Sequence, residues 1–264
     1  MDDTRSYRDA RALSPEHYHL STPIHLSTPI ATAYKEISQR IADCAVENGR
    51  APDSVTLLAV SKTRTAQEMA AAYDAGARHF GENYLQDALP KLRWFQDQAA
   101  KAGTNYTDLS WHFIGALQSN KAKEVAANFA WVHTVDKEKL ARRLANARPE
   151  EMPPLNVCVQ VNLHNEPQKA GIHPDALEDL LSLIRSLPAL HLRGLMILPS
   201  ASVEPRQAFD ALAALFDRLA SKASEPGKQW DTLSMGMSAD YSAAIAAGST
   251  IVRIGTALFG ARAS

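Results

Sequence analysis

The chain has 264 residues, of which 45% are hydrophobic and 22% are charged. This is the ordinary balance of a globular protein, and it excludes a chain that is disordered throughout. The 28 Lys and Arg against 29 Asp and Glu leave a net charge of −1, so no overall positive field favours nucleic acid or an acidic membrane surface. No apolar run reaches the roughly 20 residues of a membrane span, and the N-terminus lacks the apolar segment of a signal peptide. The composition therefore predicts a cytoplasmic protein without nucleic-acid or membrane partners.

Two cysteines, Cys44 and Cys158, lie far apart in apolar segments, and the sequence contains no CxxC motif. This pattern is not that of a zinc site or of a disulfide framework. We expect two reduced core thiols and no metal site.

Residues 1–30 are polar and contain a duplication, because HLSTPI at His19–Ile24 is repeated at His25–Ile30. Two short copies do not build a repeat fold, which needs at least three larger units. We interpret 1–30 as a flexible extension, with a partner-binding arm as the alternative, and 31–264 as one domain.

After the extension, short runs rich in Val, Ile and Leu alternate with longer stretches of helical period. A helix is predicted over 31–48, followed by the strand Val55–Val60. A capping box at Thr65–Glu68 opens the next helix. The further predicted strands are His79–Glu82, Trp111–Gly115, Trp131–Val135, Asn156–Asn162, Leu192–Ile197, Thr232–Gly236 and Ile251–Gly255. The further predicted helices are 84–100, 119–129, 137–147, 174–187, 205–222 and 239–247.

Eight apolar strands separated by helices indicate an α/β fold with a parallel sheet, and their number favours a closed (β/α)8 barrel. An open doubly wound sheet is the alternative, although no glycine-rich dinucleotide motif follows the first strand. The last helix must be short, so the helix at 31–48 is expected to cover the remaining gap in the outer layer. The stretch 96–110 is expected to be a surface excursion.

In such a barrel, functional residues gather at the carboxyl ends of the strands. Lys62 follows the first strand there. A buried lysine loses part of its charge, and the neutral amine attacks carbonyl groups to form a Schiff base. A lysine that merely extends to the barrel rim is the alternative.

The last two strand ends are rich in small and hydroxyl residues that suit a phosphate group. Ser234, Gly236 and Ser238 follow strand seven, and Gly255 and Thr256 follow strand eight. A lysine for an aldehyde and a site for phosphate at one barrel mouth suggest pyridoxal 5′-phosphate, which carries both groups. Arg253, one pleat before Gly255, would point inward beneath the ring.

Six stretches of this sequence stand out: Val-Ser-Lys-Thr at 60–63, Phe-Gly-Glu-Asn-Tyr at 80–84, Trp-His-Phe-Ile-Gly at 111–115, Gly-Leu-Met at 194–196, Ser-Met-Gly-Met-Ser at 234–238 and Val-Arg-Ile-Gly-Thr at 252–256. Together they resemble one known family, the pyridoxal phosphate homeostasis proteins. The resemblance covers about residues 31–262. It implies a single barrel similar to the N-terminal domain of alanine racemase.

The resemblance also assigns roles to residues of this chain. It implies an internal aldimine between the cofactor and Lys62, with Asn83 beside the cofactor. It further implies that Ser234 and Thr256 bind phosphate and that Arg253 faces the pyridine nitrogen. The family is regarded as regulating intracellular vitamin B6 and amino-acid pools without an established catalytic reaction.

Two functions stay open at this point, a carrier that supplies the cofactor to apoenzymes and a racemase or lyase that acts on amino acids. Arg253 would disfavour a protonated pyridine, because two nearby positive charges repel. A two-base racemase also needs a second base, which the related architecture takes from a second domain; His112 and Tyr84 are the candidates here. A monomer is expected, and a barrel without a cofactor is the third alternative.

Overall fold

A computed structural model describes residues 29–102, 106–164, 166, 168–200, 202–223 and 229–261. The extension predicted at 1–30 lies outside this part of the chain, except for Pro29 and Ile30, which begin the first helix.

Eight strands alternate with helices along the described chain. The strands are β1 Thr56–Val60, β2 His79–Glu82, β3 Ser110–Phe113, β4 Trp131–Val135, β5 Leu155–Gln160, β6 Leu190–Met196, β7 Thr232–Met237 and β8 Ile251–Ile254. The helices are α1 Pro29–Glu47, α2 Ala66–Asp74, α3 Leu85–Ala102, α4 Ala122–Asn128, α5 Glu138–Ala147, α6 Leu177–Arg185, α7 Pro205–Ala223, α8 Tyr241–Ala246 and α9 Thr256–Phe259. Short 3₁₀ turns, Ser119–Lys121 and Pro174–Ala176, precede α4 and α6.

The sheet is a closed parallel barrel. Each strand pairs with the next in the chain, and β1 pairs with β8 in the register Leu57 to Val252. The predicted barrel is confirmed, and the open-sheet alternative is wrong because β1 and β8 share a ladder. The four-residue α9 leaves space on the outside that α1 occupies, since α1 contacts α2, α8 and α9.

Side chains alternate between the two faces of the barrel wall, as parallel strands require. On β1, Leu57 and Ala59 pack outward in the large core beneath the helices, whereas Leu58 and Val60 belong to a small cluster inside the barrel. The barrel interior is otherwise notably polar, because the inward side chains of β3, β4, β7 and β8 include buried histidine, serine and arginine. These interior polar residues are His112, His133, Ser234 and Arg253.

In the described residues, part of the stretch 96–110, which was predicted to be a surface excursion, is helical. Helix α3 continues through Ala102, beyond the predicted end at 100. Tyr106 and Leu109 then pack against the core, with the Tyr106 ring 4.9 Å from that of Phe95. Tyr106 and Leu109, both partly buried, therefore hold the end of this stretch against the core.

Both cysteines are free thiols; Cys158 is buried and Cys44 partly buried. Burial raises the pKa of the Cys158 thiol, so it stays protonated. In the described ranges, no helix combines the length and apolar character that crossing a bilayer requires.

Candidate functional site

A cavity of about 440 Å³ opens at the carboxyl ends of the strands, and we call it the upper pocket. Five of the seven predicted site residues line it: Lys62, Asn83, Arg253, Gly255 and Thr256. The rest of its lining is Val60, Ile114, Leu198, Met237, Ser238 and Ala239. The barrel thus brings an amine, an amide, a guanidinium and two hydroxyls to one cavity with apolar walls.

Lys62 enters the pocket from the turn that follows β1. The alternation that points Val60 inward also points Lys62 inward two residues later. The next residue, Thr63, has a left-handed φ of 63°, and Arg64 N–H closes the turn by donating to the Ser61 carbonyl at 3.0 Å. This tight turn fixes the direction in which the Lys62 side chain leaves the strand.

A buried ion pair holds the base of this turn from outside the barrel. The Lys91 ammonium on α3 donates to Glu82 Oε1 at 2.7 Å and to the Ser61 carbonyl at 2.8 Å. The Ser61 hydroxyl donates to the same Glu82 oxygen at 2.6 Å. Burial raises the pKa of Glu82, against the opposing effect of the Lys91 charge. Lys91 and Ser61 therefore tie β1, β2 and α3 together directly behind Lys62.

Asn83 is positioned by a close approach of two strand ends. A Cβ atom on Gly115 would lie 2.0 Å from the Asn83 carbonyl oxygen, so only glycine fits there. Within the described part of the chain, Asn83 Oδ1 is buried without a hydrogen-bond partner. A buried polar atom of this kind usually has a partner in the functional state, which makes it a contact available to a ligand.

Arg253 lies at the floor of the upper pocket and is almost fully buried. Its guanidinium donates to the Ser234 hydroxyl at 2.8 Å and to the Ile197 carbonyl at 2.9 Å, which are neutral acceptors. Burial lowers the pKa of Arg253 to about 10, so the side chain stays positively charged at neutral pH. The floor of the pocket therefore carries a cation.

The two other predicted site residues do not line the upper pocket. The Ser234 hydroxyl lies inside the barrel between Arg253 and His133. Gly236, at φ 91°, faces α8, where an added Cβ would lie 2.6 Å from that of Ala244. The pairing of β7 with β8 shifts register between Ser234 and Met237. The shift changes the direction in which the side chains after it point. Phosphate binding by Ser234 and Gly236 stays a prediction.

Ser238, predicted with Ser234 and Gly236 to belong to the phosphate-binding loop after strand seven, does line the pocket. The apolar lining residues Ile114, Leu198, Met237 and Ala239 were not predicted as site residues. Ile114 directly follows β3, two residues after the inward-facing His112, so the strand alternation could have predicted that its side chain points inward. Leu198 and Met237 are large hydrophobic side chains that stay exposed, at 40% each, and this is visible only in the fold.

The two candidate second bases lie elsewhere. Tyr84 is 53% exposed and lines a neighbouring cavity, and His112 is fully buried inside the barrel. Burial holds the pKa of His112 well below its usual range, so that imidazole is neutral.

The family model described as alanine racemase, N-terminal domain, matches residues 42–263. Curated relatives include the pyridoxal phosphate homeostasis protein of Escherichia coli strain K12, 47% identical over 236 residues, or 88% of this chain and 97% of that protein. The protein of the same name from Vibrio cholerae serotype O1 is 50% identical over 231 residues, or 86% of this chain and 94% of that protein.

Solved structures agree with this match. PipY of Synechococcus elongatus PCC7942 with PLP bound has a TM-score of 0.69 at 37% identity, over 83% of this chain and all of that chain. Alanine racemase from Corynebacterium glutamicum has a TM-score of 0.61 at 15% identity, over 89% of this chain and 61% of that chain, and this likeness concerns the fold alone. The chain therefore belongs to the pyridoxal phosphate homeostasis protein family and carries the barrel of the alanine racemase N-terminal domain.

Proposed function

We propose that the upper pocket binds pyridoxal 5′-phosphate and that the protein acts in homeostasis of this cofactor by holding and releasing it. The observation that carries the proposal is the single cavity with an amine, two hydroxyls and a buried cation in its lining. The PLP-bound PipY structure and the names of the curated relatives support the same ligand.

The residues present fit the proposed cofactor. Bound pyridoxal phosphate supplies an aldehyde, which a neutral lysine amine attacks with loss of water. Lys62 offers the amine, and the hydroxyls of Ser238 and Thr256 offer hydrogen-bond donors to phosphate. The buried Asn83 Oδ1 offers a contact that the described protein itself leaves unused.

Arg253 supports a carrier more than a catalyst. Its charge on the pocket floor would keep an adjacent pyridine nitrogen unprotonated, since two positive charges close together repel. A neutral pyridine withdraws electrons weakly, which disfavours transamination, whereas racemisation can still run on an arginine-paired ring. Neither Tyr84 nor His112 lines the upper pocket, which leaves the racemase alternative without a second base from these two candidates.

The first test concerns Lys62. Titration of the cofactor-free protein with pyridoxal phosphate should produce a visible absorption band near about 420 nm, and borohydride should fix the cofactor on Lys62. Lys62→Ala should lose the band and the fixation, whereas Lys35→Ala, which changes an exposed lysine of α1, should keep both. Unchanged fixation in Lys62→Ala would refute the assignment.

The second test separates the hydroxyls that bind phosphate. Hydrogen bonds to a charged acceptor contribute about 1.5–3 kcal/mol, so Ser238→Ala and Thr256→Ala should each weaken pyridoxal phosphate binding by roughly tenfold or more. Binding of unphosphorylated pyridoxal should change little. Ser242→Ala, in an exposed position of α8, is the control. Equal losses for both ligands would show that the hydroxyl does not contact phosphate.

The third test addresses the open alternative and the finer parts of the proposal. When the holoprotein is incubated with amino acids in heavy water, the α-protons of the amino acids should exchange far more slowly than about 1 s⁻¹, the lower end of the ordinary enzyme range.

A separate experiment tests transfer of the cofactor. Incubation of the holoprotein with an apoenzyme that requires the cofactor should restore the activity of that enzyme. A monomeric state and a cytoplasmic location stay predictions, which sedimentation and cell fractionation test.

A further inference from the structure

Four polar side chains form a continuous line of hydrogen bonds through the barrel, and we call them the histidine line: His79, His112, His133 and Ser234. His79 Nδ1 lies 3.0 Å from His112 Nε2, and His112 Nδ1 lies 2.9 Å from His133 Nε2. His133 Nδ1 lies 2.8 Å from Ser234 Oγ, which also accepts the bond from Arg253. The line therefore ends on the cation at the floor of the upper pocket.

The other end of the line reaches a second cavity. This lower pocket, of about 230 Å³, opens at the amino ends of the strands, and its lining includes His79, Arg193 and Asp231. His112 also borders this pocket, but its exposed fraction, like that of His133 and Ser234, is 0%, whereas His79 is partly exposed. The histidine line thus connects the two ends of the barrel through its buried interior.

Every imidazole in the line is neutral near pH 7. Burial lowers the pKa of His79 and, much further, that of His112. Burial and the Arg253 charge lower the pKa of His133 to about 3. A neutral imidazole has one N–H donor and one acceptor nitrogen. A ring that accepts a hydrogen bond at one nitrogen therefore donates a hydrogen bond from the other nitrogen to the next ring.

The hydrogen bond from Arg253 determines in which direction the donors and acceptors of the line are ordered. A guanidinium only donates, so Ser234 Oγ accepts from it. Among the described residues, His133 Nδ1 is the other hydrogen-bond partner of this buried hydroxyl, so the hydroxyl donates its own hydrogen there. The opposite direction would leave the Ser234 hydrogen buried without an acceptor, which is costly.

The direction then fixes all three tautomers. His133 must carry its hydrogen on Nε2 and donate to His112 Nδ1. His112 must carry its hydrogen on Nε2 and donate to His79 Nδ1, with Ser110 Oγ also 3.2 Å from His112 Nε2. His79 in turn carries its hydrogen on Nε2. Trp131, stacked on the His112 ring with an interplanar angle of 6°, limits rotation of that ring.

We propose that His79, His112 and His133 are positioning residues for Arg253, and that the histidine line couples the lower pocket to the cofactor pocket. Protonating His79, or binding a hydrogen-bond donor to it, would favour reversal of the whole line. Reversal would turn His133 into a donor to Ser234 and weaken the hold on Arg253. The cofactor part of this inference rests on the proposed function.

Charged and titratable groups near His79 bear on this coupling. Arg193 and Asp231 in the lower pocket form an ion pair of 2.7 Å. Asp53, Arg78 and Tyr34 line a further cavity on which His79 also borders. A pH effect assigned to His79 must therefore be separated from titration of these neighbours, which the variants below do by removing the His79 imidazole alone.

The direct test needs no cofactor. Nitrogen-15 NMR of the histidine rings in the cofactor-free protein should show all three imidazoles neutral with hydrogen on Nε2 at pH 7.5. Ser234→Ala, which separates Arg253 from His133, should give mixed tautomers as far away as His79. Ser249→Ala, another fully buried serine next to the sheet, should leave them unchanged. Hydrogen on Nδ1 of His112 or His133 in the wild type, or an unaffected His79 in Ser234→Ala, would overturn the proposal.

The coupling is tested in the holoprotein. His79→Phe keeps a ring but removes the acceptor, and it should weaken pyridoxal phosphate binding about three- to tenfold. It should also remove a pH dependence of that binding below pH 7. His79→Gln restores an acceptor and should recover affinity to within about twofold. Equal losses in both variants would overturn the coupling. Failure of the wild type to bind the cofactor would refute the proposed function, while the ring measurements would still decide the tautomers.

Discussion

At the scale of single residues, the side chains that prepare the site are as informative as those that line it. Lys91 and Glu82 are both buried, and neither lines the upper pocket, yet they bond the turn that carries Lys62. A buried ion pair offsets the cost of desolvating its two charges only while both partners are present. The second Glu82 oxygen has no hydrogen-bond partner among the described residues. The stabilisation of the buried carboxylate therefore depends on the contacts of its first oxygen with Lys91 and Ser61.

Lys91→Met should destabilise the protein by about 3–5 kcal/mol, because it leaves the Glu82 carboxyl buried without its cation. The pKa of Glu82 should then rise further, so the loss should grow from pH 5 to pH 8 as the buried group resists ionisation. Urea unfolding at both pH values measures this effect.

The matched control is Lys121→Met, which changes an exposed lysine. The double variant Glu82→Gln with Lys91→Met should recover part of the loss, since it removes the uncompensated charge. A double variant as unstable as Lys91→Met alone would argue that the packing of the Lys91 stem, and not its charge, stabilises this region.

At the scale of elements, the strand ends and helix starts convert the barrel into a site. Helix α2 begins at Ala66, four residues after Lys62, and the predicted capping box at Thr65–Glu68 caps it. The Thr65 side chain accepts from Glu68 N–H at 3.1 Å, and Glu68 Oε2 accepts from Thr65 N–H at 2.7 Å. The pKa of Glu68 lies below its ordinary value, with the hydrogen bonds from Thr65 and the charge of Arg64 outweighing burial. This cap limits how far the turn that holds Lys62 can unwind.

Thr65→Ala should cost about 1 kcal/mol of stability, because the first turn of α2 loses a capping acceptor. Thr65→Ser should keep most of the stabilisation, because serine retains the hydroxyl acceptor. The midpoint of urea unfolding measures both changes. Gln67→Ala, exposed in the same helical turn, is the control, and a Thr65→Ala effect no larger than this control would contradict the role of the cap.

At the scale of the whole molecule, the barrel buries polar groups where such folds usually hold apolar layers. His112 and His133 are fully buried, and their pKa values are lowered, that of His133 to about 3. The unfolded chain takes up protons at these imidazoles near pH 6.5, whereas the folded chain does not. The stability that they contribute is therefore fully present above about pH 6.5 and is lost as the pH falls.

The free energy of unfolding should accordingly fall on acidification from pH 7 to pH 4.5. Each imidazole that stays neutral in the folded state adds about 1.4 kcal/mol per pH unit to the slope once the unfolded chain is protonated. His133→Asn should reduce the slope by about that amount, as measured by urea unfolding across this range. His164→Gln, at an exposed position, should leave it unchanged. An identical slope in His133→Asn would show that His133 takes up a proton in the folded state.

Local sequence patterns and motifs are enough to predict the barrel and the end at which its functional residues gather. Eight short apolar runs separated by helical periods are compatible with few folds, and strand alternation alone points Lys62 and Arg253 inward. The five residues that share the upper pocket, Lys62, Asn83, Arg253, Gly255 and Thr256, follow from that pattern and from the family motifs. The strand pattern depends on local periodicity, which a single chain contains, and the role of Asn83 came from the family motifs alone.

Other features of the site depend on how the strands pack together. The register shift on β7 separated Ser238, which lines the pocket, from Ser234, which lies inside the barrel. The histidine line joins residues from β2, β3, β4 and β7 that are up to 101 positions apart for one bond, so no sequence spacing predicts it. Closing the barrel brings these strands around one narrow interior, where the buried polar side chains form their hydrogen bonds with side chains of other strands.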